Sequence, residues 1–402
     1  MDVLRGLKVL DLTVWAFCPA AGAVLASWGA DVIHIENPHA PDPMRLFQGG
    51  TTEPGGASWM FQHYNRGKRG LALNLADERA RDILYRLVEE ADVFLTSYLP
   101  ATRRKLGVDV EDIRARNPRI VYAKGTGAGP RGPESERGGY DGASWWARGS
   151  LAATAMAVTG TDFPPGMVGH GDGMSGLAFA GGICAALLQR ERTDVAPVVD
   201  SSLLSTALWF NGPAVISSLF PVEDQLFQSK PPREATPWTN GMYETADHRF
   251  VHLSFLGDPQ KDWLSFCAAL GKPDLAADER FATAADRARN NIELIGLLDP
   301  IFAGRTLAEW RTSLAGITGV WAPVQTPKEM HEDPQAIANG FVQEVSNPGG
   351  TLSLVTPPVL FDQDPGKIRR APEFGEHTED ILTGLGIPAA DIDELRRAGV
   401  VA

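Results

Sequence analysis

Residues 8–36, KVLDLTVWAFCPAAGAVLASWGADVIHIE, decide the fold. Lys8–Leu12 is a short apolar run of strand length. Pro19–Trp28 is rich in Ala and Leu and reads as a helix, with Pro19 tolerated in its first turn. Asp31–Glu36 alternates apolar and polar residues, as a strand does. A helix between two strands makes a crossover, and a crossover makes the strands parallel.

The pattern repeats outward. Leu71–Leu75, Asp92–Tyr98, Arg119–Lys124 and Ala196–Asp200 read as further strands. Asp77–Ala91 and Met174–Arg190 read as helices, and another starts at Leu203. Strands alternating with helices predict an α/β class with a parallel sheet covered on both faces. The composition then changes. Residues 220–237 carry four prolines and several charges, the mark of a linker. A hairpin-like stretch at 241–255 opens a separate block with helices around Trp263, from Ala285 to Phe302 and from Leu307 to Leu314. Pro323–Pro348 is loop-rich, and the tail from Leu352 to Ala402 reads as a strand followed by helices at Glu376–Leu385 and Ala390–Ala398.

The 402 residues are enough to bury a large core without a disulfide or metal staple. A formal charge of −13 argues against general binding to nucleic acid or to anionic lipid. The longest apolar run, Leu177–Leu188, is shorter than the ~20 residues of a membrane span. Cys18, Cys184 and Cys267 are odd in number and far apart, which suits a reducing cytoplasm. The histidines form no HExxH, so a metal centre is not expected.

The turn after Leu12 lacks the GxGxxG that brings backbone close to a pyrophosphate, so a nicotinamide cofactor is not indicated. There is no GxxxxGK[ST] and no GxSxG. Gly171-Asp172-Gly173 stands out, an acid between glycines at the start of a predicted buried helix. Two roles fit it. Asp is a good N-cap. Alternatively, the free N–H groups of the first turn would keep the carboxylate ionised, and the missing side chains would let an acyl group approach a nucleophile. Gly139-Tyr140-Asp141-Gly142 offers the same choice, an N-cap at Asp141 or a cleft facing Asp172. Basic residues at 66, 68 and 69 and at 103–105 read either as solvated surface or as phosphate contacts. His170 is a candidate base. Of Trp145 and Trp146, one is expected in the core.

Taken in order, these blocks resemble the family III CoA-transferases, which include the formyl-CoA:oxalate, carnitine and bile-acid CoA-transferases and the α-methylacyl-CoA racemases. The resemblance rests on Leu4–Thr13, Trp28–Ile33 with Glu36 and Pro38, Asn65–Arg69, Ala91–Val93, Gly127–Pro133, Gly139–Asp141, Gly171-Asp172 with Gly176, Ala185–Leu188, Asp333-Pro334 and Gly375–Thr378. It implies a Rossmann-like, CoA-binding large domain built from 1–219 and 331–402. A small α+β domain at 238–322 would be inserted through a linker at 220–237 and a return linker at 323–350. Two subunits would interlock like rings of a chain.

The resemblance also implies chemistry. Asp172 matches the nucleophile that forms acyl anhydride and CoA thioester intermediates. Trp15, Ala16, Leu73, Ser97, Tyr98 and Lys105 match CoA-contacting positions, with Tyr140 and Asp141 beside them. Coenzyme A thioester is then a substrate and no tightly bound cofactor is implied. The racemases are similar but carry a His at the place of Tyr140, a better base than tyrosine at neutral pH. Ala16 and Cys18 depart from the oxalate enzyme, and Trp238–Gly241 stands where that enzyme has its glycine loop. Trp238 and the Trp145–Trp146 pair hint instead at a larger apolar acyl group. Three functions follow, a CoA-transferase, a 2-methylacyl-CoA racemase and a non-catalytic CoA-ester binding protein.

Overall fold

The computed structural model describes residues 2–160, 162, 168–221, 233 and 236–402. These fall into two compact units. The first comprises residues up to Ala157, the segment Thr161–Phe227 and Pro334–Ala402, and the second comprises Val158–Gly160 and Gln228–Asp333.

The first unit opens with β1 (Lys8–Leu12), α1 (Phe17–Ser27), β2 (Asp31–Glu36), α2 (Trp59–Asn65) and β3 (Arg69–Ala72). It continues with α3 (Glu78–Glu90), β4 (Val93–Thr96), α4 (Pro100–Leu106), α5 (Val110–Arg116) and β5 (Val121–Thr126). Then come α6 (Leu151–Thr159), α7 (His170–Thr193), β6 (Val198–Ser202), α8 (Leu203–Phe210) and α9 (Gly212–Ser217). The six strands form one parallel sheet in the order β3-β2-β1-β4-β5-β6. Its interior strands are buried apolar runs, as a sheet covered on both faces requires. The order reverses between β1 and β4. In an open α/β sheet, the strand ends at such a reversal leave a crevice for ligands.

Two apolar clusters cover the two faces. One joins Val9, Val24, Leu95 and Ala123 to Phe179 and Ile183 of α7. The other joins Leu10, Ile35, Phe94 and Tyr122 to Leu84 of α3 and to Ile381 and Leu382 near the C-terminus. Helix α7 has 24 residues, and its length and composition would suffice to cross a membrane. It is longer than the apolar run in the sequence because polar residues extend it at both ends. Here one of its faces packs on α1. Gly176 makes that contact close, because a Cβ there would lie 2.8 Å from the carbonyl oxygen of Phe17.

The second unit holds β7 (Met242–Glu244), β8 (Phe250–Ser254), α10 (Pro259–Leu270), α11 (Pro273–Ala277), α12 (Ala284–Arg289), α13 (Asn291–Ala303), α14 (Leu307–Ser313) and β9 (Val320–Pro323). The three strands are antiparallel in the order β7-β8-β9 around an aromatic core. The single helix expected from Ala285 to Phe302 is broken at Asn290, which caps both pieces. Residues of the proline-rich stretch 222–232, 234 and 235 lie outside the described residues. The stretch read as loop after Pro323 contains α15 (Pro334–Ala338) and β10 (Val342–Asn347). The second of these pairs with β11 (Gly350–Val355), and α16 (Thr378–Gly384) and α17 (Ala389–Arg397) close the chain.

Two glycine substitutions in α7 separate packing from propensity. Gly176→Ala should destabilise the protein by about 1–3 kcal/mol through overpacking. A Cβ at Gly181 meets no atom within 4 Å, so Gly181→Ala should be neutral or stabilise by up to about 1 kcal/mol. Thermal unfolding of the two variants side by side checks this, and equal melting would remove the close α1–α7 approach.

Candidate active site

The turn between β1 and α1 lies at the strand-order reversal. Trp15 sits there with φ +70°, a left-handed conformation that bulky residues seldom adopt. Two hydrogen bonds hold it. The Trp15 N–H donates to Asp42 Oδ1 at 3.0 Å, and the Val14 N–H donates to Ser97 Oγ, just past β4, at 3.0 Å. Asp42 also caps the short turn Pro43–Gly49 by accepting from the Met44 N–H at 2.9 Å. The Trp15 ring then meets the edge of Tyr140, with centroids 5.6 Å apart.

Buried charges lie beneath the turn. Lys68 Nζ pairs with Asp11 Oδ2 at 2.6 Å and donates to the carbonyl of Pro19 and to Asn65 Oδ1. Burial raises the Asp11 carboxyl pKa, but Lys68 and His34 together outweigh it and hold the group at about 2. Among the described residues no Lys or Arg pairs with Asp42. Burial pushes it up to about 6, against the opposing pull of His34. Arg45 forms a bidentate pair with Glu36.

The Asp141–Ala147 segment is one turn of π-helix, and it buries Asp141 to 7% exposure. The Asp141 carboxylate reaches across to accept the Gly169 N–H at 2.9 Å. Gly169 is the N-cap of α7 and has φ +80°. Asp141 therefore satisfies an N–H at the start of α7 and does not cap its own turn. Gly171 has no side chain because the Asp141 carboxylate and the Trp145 ring occupy the place of its Cβ. Tyr64 Oη donates to the Gly169 carbonyl at 2.8 Å, on the other side.

Asp172 is the third residue of α7, so it is not the helix cap. Burial pushes its carboxyl up to about 7, and the nearby Asp141 adds to the rise. This corrects the expectation that the helix N-terminus keeps it ionised. A helix terminus is worth about 0.3–1 kcal/mol, and desolvation beside a second carboxylate outweighs it. Burial likewise raises Asp141. The glycines also differ from expectation. Gly171 serves the packing of Asp141 rather than the approach of a ligand.

Asp172 opens on a cavity of about 800 Å³. The cavity gathers Trp15, Ser97, Tyr98, Tyr140 and Asp141 of the expected site residues. The other three do not line it. Ala16 and Leu73 are buried in the core, and Lys105 is exposed on α4. Of the two basic clusters, the first is not a surface for phosphates. Lys68 is spent on Asp11, Arg69 pairs with Asp31 at 2.6 Å, and Arg66 is buried. In the second, Arg103 is held by Asp109 and by the Tyr98 carbonyl, which leaves Arg104 and Lys105 exposed.

Trp145 and Trp146 both belong to the buried apolar cluster, and Trp146 also lines the cavity. His170 is exposed and does not line it. In its own unit Trp238 borders a separate small cavity of about 230 Å³. Its ring is buried against Trp263 and Phe266. Sequence reasoning missed Met44, Phe47 and Met60, which form part of the wall. They lie in an aperiodic stretch that only the Asp42 and Ser58 caps mark locally. Cys18 was seen only as a departure from a pattern. It lines the cavity, and burial raises its thiol pKa well above the usual range, with Asp11 and Asp172 adding to the rise.

A family model described as CoA-transferase family III matches residues 4–378. The (R)-2-hydroxy-4-methylpentanoate CoA-transferase of Clostridioides difficile is 28% identical over 99% of both chains. The succinyl-CoA:glutarate CoA-transferase of Homo sapiens is 30% identical over 99% of this chain and 90% of its own. The crystal structure of a CAIB/BAIF family protein from Brucella suis superposes with a TM-score of 0.79 at 27% identity, covering 95% of this chain and 99% of that one.

A carboxyl pKa raised on folding makes stability fall as pH rises through the folded value. The wild type should therefore lose stability between about pH 4 and pH 7 on account of Asp172. Asp172→Asn should melt about 2–4 °C above the wild type at pH 8, with the gap closing towards pH 4. Melting curves at the two pH values check the sign, and a gap that does not depend on pH would contradict the buried-carboxylate account.

Proposed function

The chain belongs to CoA-transferase family III, and on that premise we propose that it passes CoA from an acyl-CoA to a carboxylic acid through covalent intermediates on Asp172. The observation that carries this reading is the Asp172 carboxyl, which opens on the cavity at the strand-order reversal with its pKa raised to about 7. A desolvated carboxylate is a stronger nucleophile than a solvated one, and near pH 7 a large fraction is ionised.

In the proposed sequence an Asp172 oxygen attacks the thioester carbonyl. The C–S bond breaks, CoA leaves as thiolate, and a mixed anhydride remains. The thiolate attacks the aspartyl carbonyl, the first acid leaves as its carboxylate, and an aspartyl-CoA thioester forms. The acceptor carboxylate attacks that carbonyl and returns the thiolate and a new anhydride. The thiolate takes the acceptor acyl group, and Asp172 is regenerated. Each step exchanges one acyl bond for another, so no oxidant and no net proton is needed.

Trp15, Ser97, Tyr98 and Tyr140 are proposed to flank the pantetheine arm, with exposed Lys105 outside the cavity for a phosphate. Ala16 and Leu73 would act from behind, as packing. Asp141 is proposed to fix the start of α7 and to raise the basicity of Asp172. The racemase reading needs a base facing the cavity. Tyr140 stands where the racemases have His, and His170 is not among the lining residues. An interlocked dimer is proposed as the working form. Trp209 at 82% and Leu219 at 88% exposure, on and after α8 and α9, support a covered face.

Hydroxylamine added with an acyl-CoA should trap Asp172 as its hydroxamate, read by peptide mass, and Asp172→Ala should lose at least about 1000-fold in turnover. Transfer by an enzyme whose Asp172 is never modified would overturn the mechanism. The wild-type kcat/KM should fall as pH drops below about 7, because the nucleophile becomes protonated. Asp141→Asn removes the neighbouring charge and should move that fall to lower pH while the Gly169 contact survives.

A further inference from the structure

We propose that the acids exchanged here are monocarboxylates with apolar aliphatic or aromatic chains, and that dicarboxylates are refused. The inference rests on the transferase reading and adds the class of acid.

Among the described residues the cavity wall holds no Lys, Arg or His. The stretch 161–167, TDFPPGM, which precedes the wall residue Val168, carries no basic residue in its sequence either. The charged groups that do line the wall are Asp141 and Asp172, both acidic. The rest is largely thioether, ring and branched aliphatic surface, with Met44, Phe47 and Met60 from one stretch and Trp146, Val168 and Leu203 from others.

Of the cations on neighbouring elements, Arg66 is buried and donates to the His63 carbonyl, Arg104 and Lys105 are exposed on α4 outside the wall, and three others are held by carboxylates. Lys68 pairs with Asp11 at full burial, Arg45 holds Glu36 with two hydrogen bonds, and Arg103 holds Asp109 and the Tyr98 carbonyl. Releasing Lys68, Arg45 or Arg103 would strand a buried or half-buried carboxylate.

An acid that reacts must bring its one carboxylate to Asp172. Its other end then lies against this wall. A methyl or phenyl terminus is favourable there, because it leaves water for apolar contact. A second carboxylate at that end would be stripped of water without a counter-ion and would face Asp141. Sites discriminate strongly when a mismatch leaves a buried polar group unpaired, and only weakly when it adds or removes a methylene. The contrast between matched mono- and dicarboxylates should therefore be large, and the contrast between chain lengths small. Tyr98 and Tyr140 bring hydroxyl-bearing side chains to the wall, so a hydroxyl on the acid is tolerated.

The test uses the full-length wild-type enzyme and matched pairs of acceptor, pentanoate against glutarate and hexanoate against adipate. Acetyl-, butyryl- and hexanoyl-CoA serve as donors, and the product CoA esters are quantified by mass spectrometry. The monocarboxylate of each pair should be preferred at least about 100-fold in kcat/KM. Equal use or preference for the dicarboxylates overturns this inference and leaves the transferase mechanism standing. No transfer to any acid, with Asp172 unmodified by hydroxylamine, overturns the transferase reading and this inference with it. Phe47→Arg places a cation in the wall from a half-buried position. It should shift the glutarate-to-pentanoate ratio at least about tenfold towards glutarate. An unchanged ratio in a variant that melts like the wild type would mean the acid does not meet this wall.

Discussion

A buried ion pair, Asp11 with Lys68 at 2.6 Å, underlies the site. Asp11 sits in β1, and Lys68 stands between α2 and β3. The ammonium also holds the Pro19 carbonyl of α1 and the Asn65 side chain of α2. One charge thus ties together a strand and two helices at the strand-order reversal. Such a pair is costly to bury and costlier to break, because the surviving partner has no water. It also dictates a neighbour. A Cβ at Gly22 would lie 2.5 Å from the Asp11 carboxylate, so α1 must carry a glycine there. The turn that presents Trp15 starts two residues beyond Asp11, and its shape is fixed on that base.

Two carboxylates then share the space above. Asp141 is anchored by a backbone N–H and cannot leave, and Asp172 is free to face the cavity. Among the described residues neither pairs with a Lys or Arg, in contrast to Asp11 and Glu36. The same side chain type is therefore held strongly acidic in one layer and weakly acidic in the next. The difference is made by Lys68 together with His34, not by burial, since both layers are dry.

Much of this was legible in the sequence. Local patterning places β1, β2, α3, β4, β5 and α7 within a few residues, because each strand is an apolar run and each helix has a clear stop. The glycine-flanked acid was also visible. Its protonation was not, because the helix terminus is a local feature while burial and Asp141 come from elsewhere in the fold. The basic cluster at 66–69 misled for the same reason. Charge on a turn reads as solvated until the strand beneath supplies a carboxylate. Met44, Phe47 and Met60 have no period and no motif, and only three-dimensional folding brings them to the wall. Trp238 shows the converse. A large aromatic read from sequence as a ligand contact is packed in an aromatic core, where it also borders a small cavity of its own unit.

Cys18 has one more consequence. A protein that handles CoA meets a free thiol on its ligand, and a cysteine in the wall invites a mixed disulfide with it. Disulfide exchange needs a thiolate on the attacking side. Deep burial beside two carboxylates withholds that ionisation from Cys18. The cavity thus keeps a small, soft, apolar filler against Gly125 and resists being plugged by its own ligand under oxidising stress.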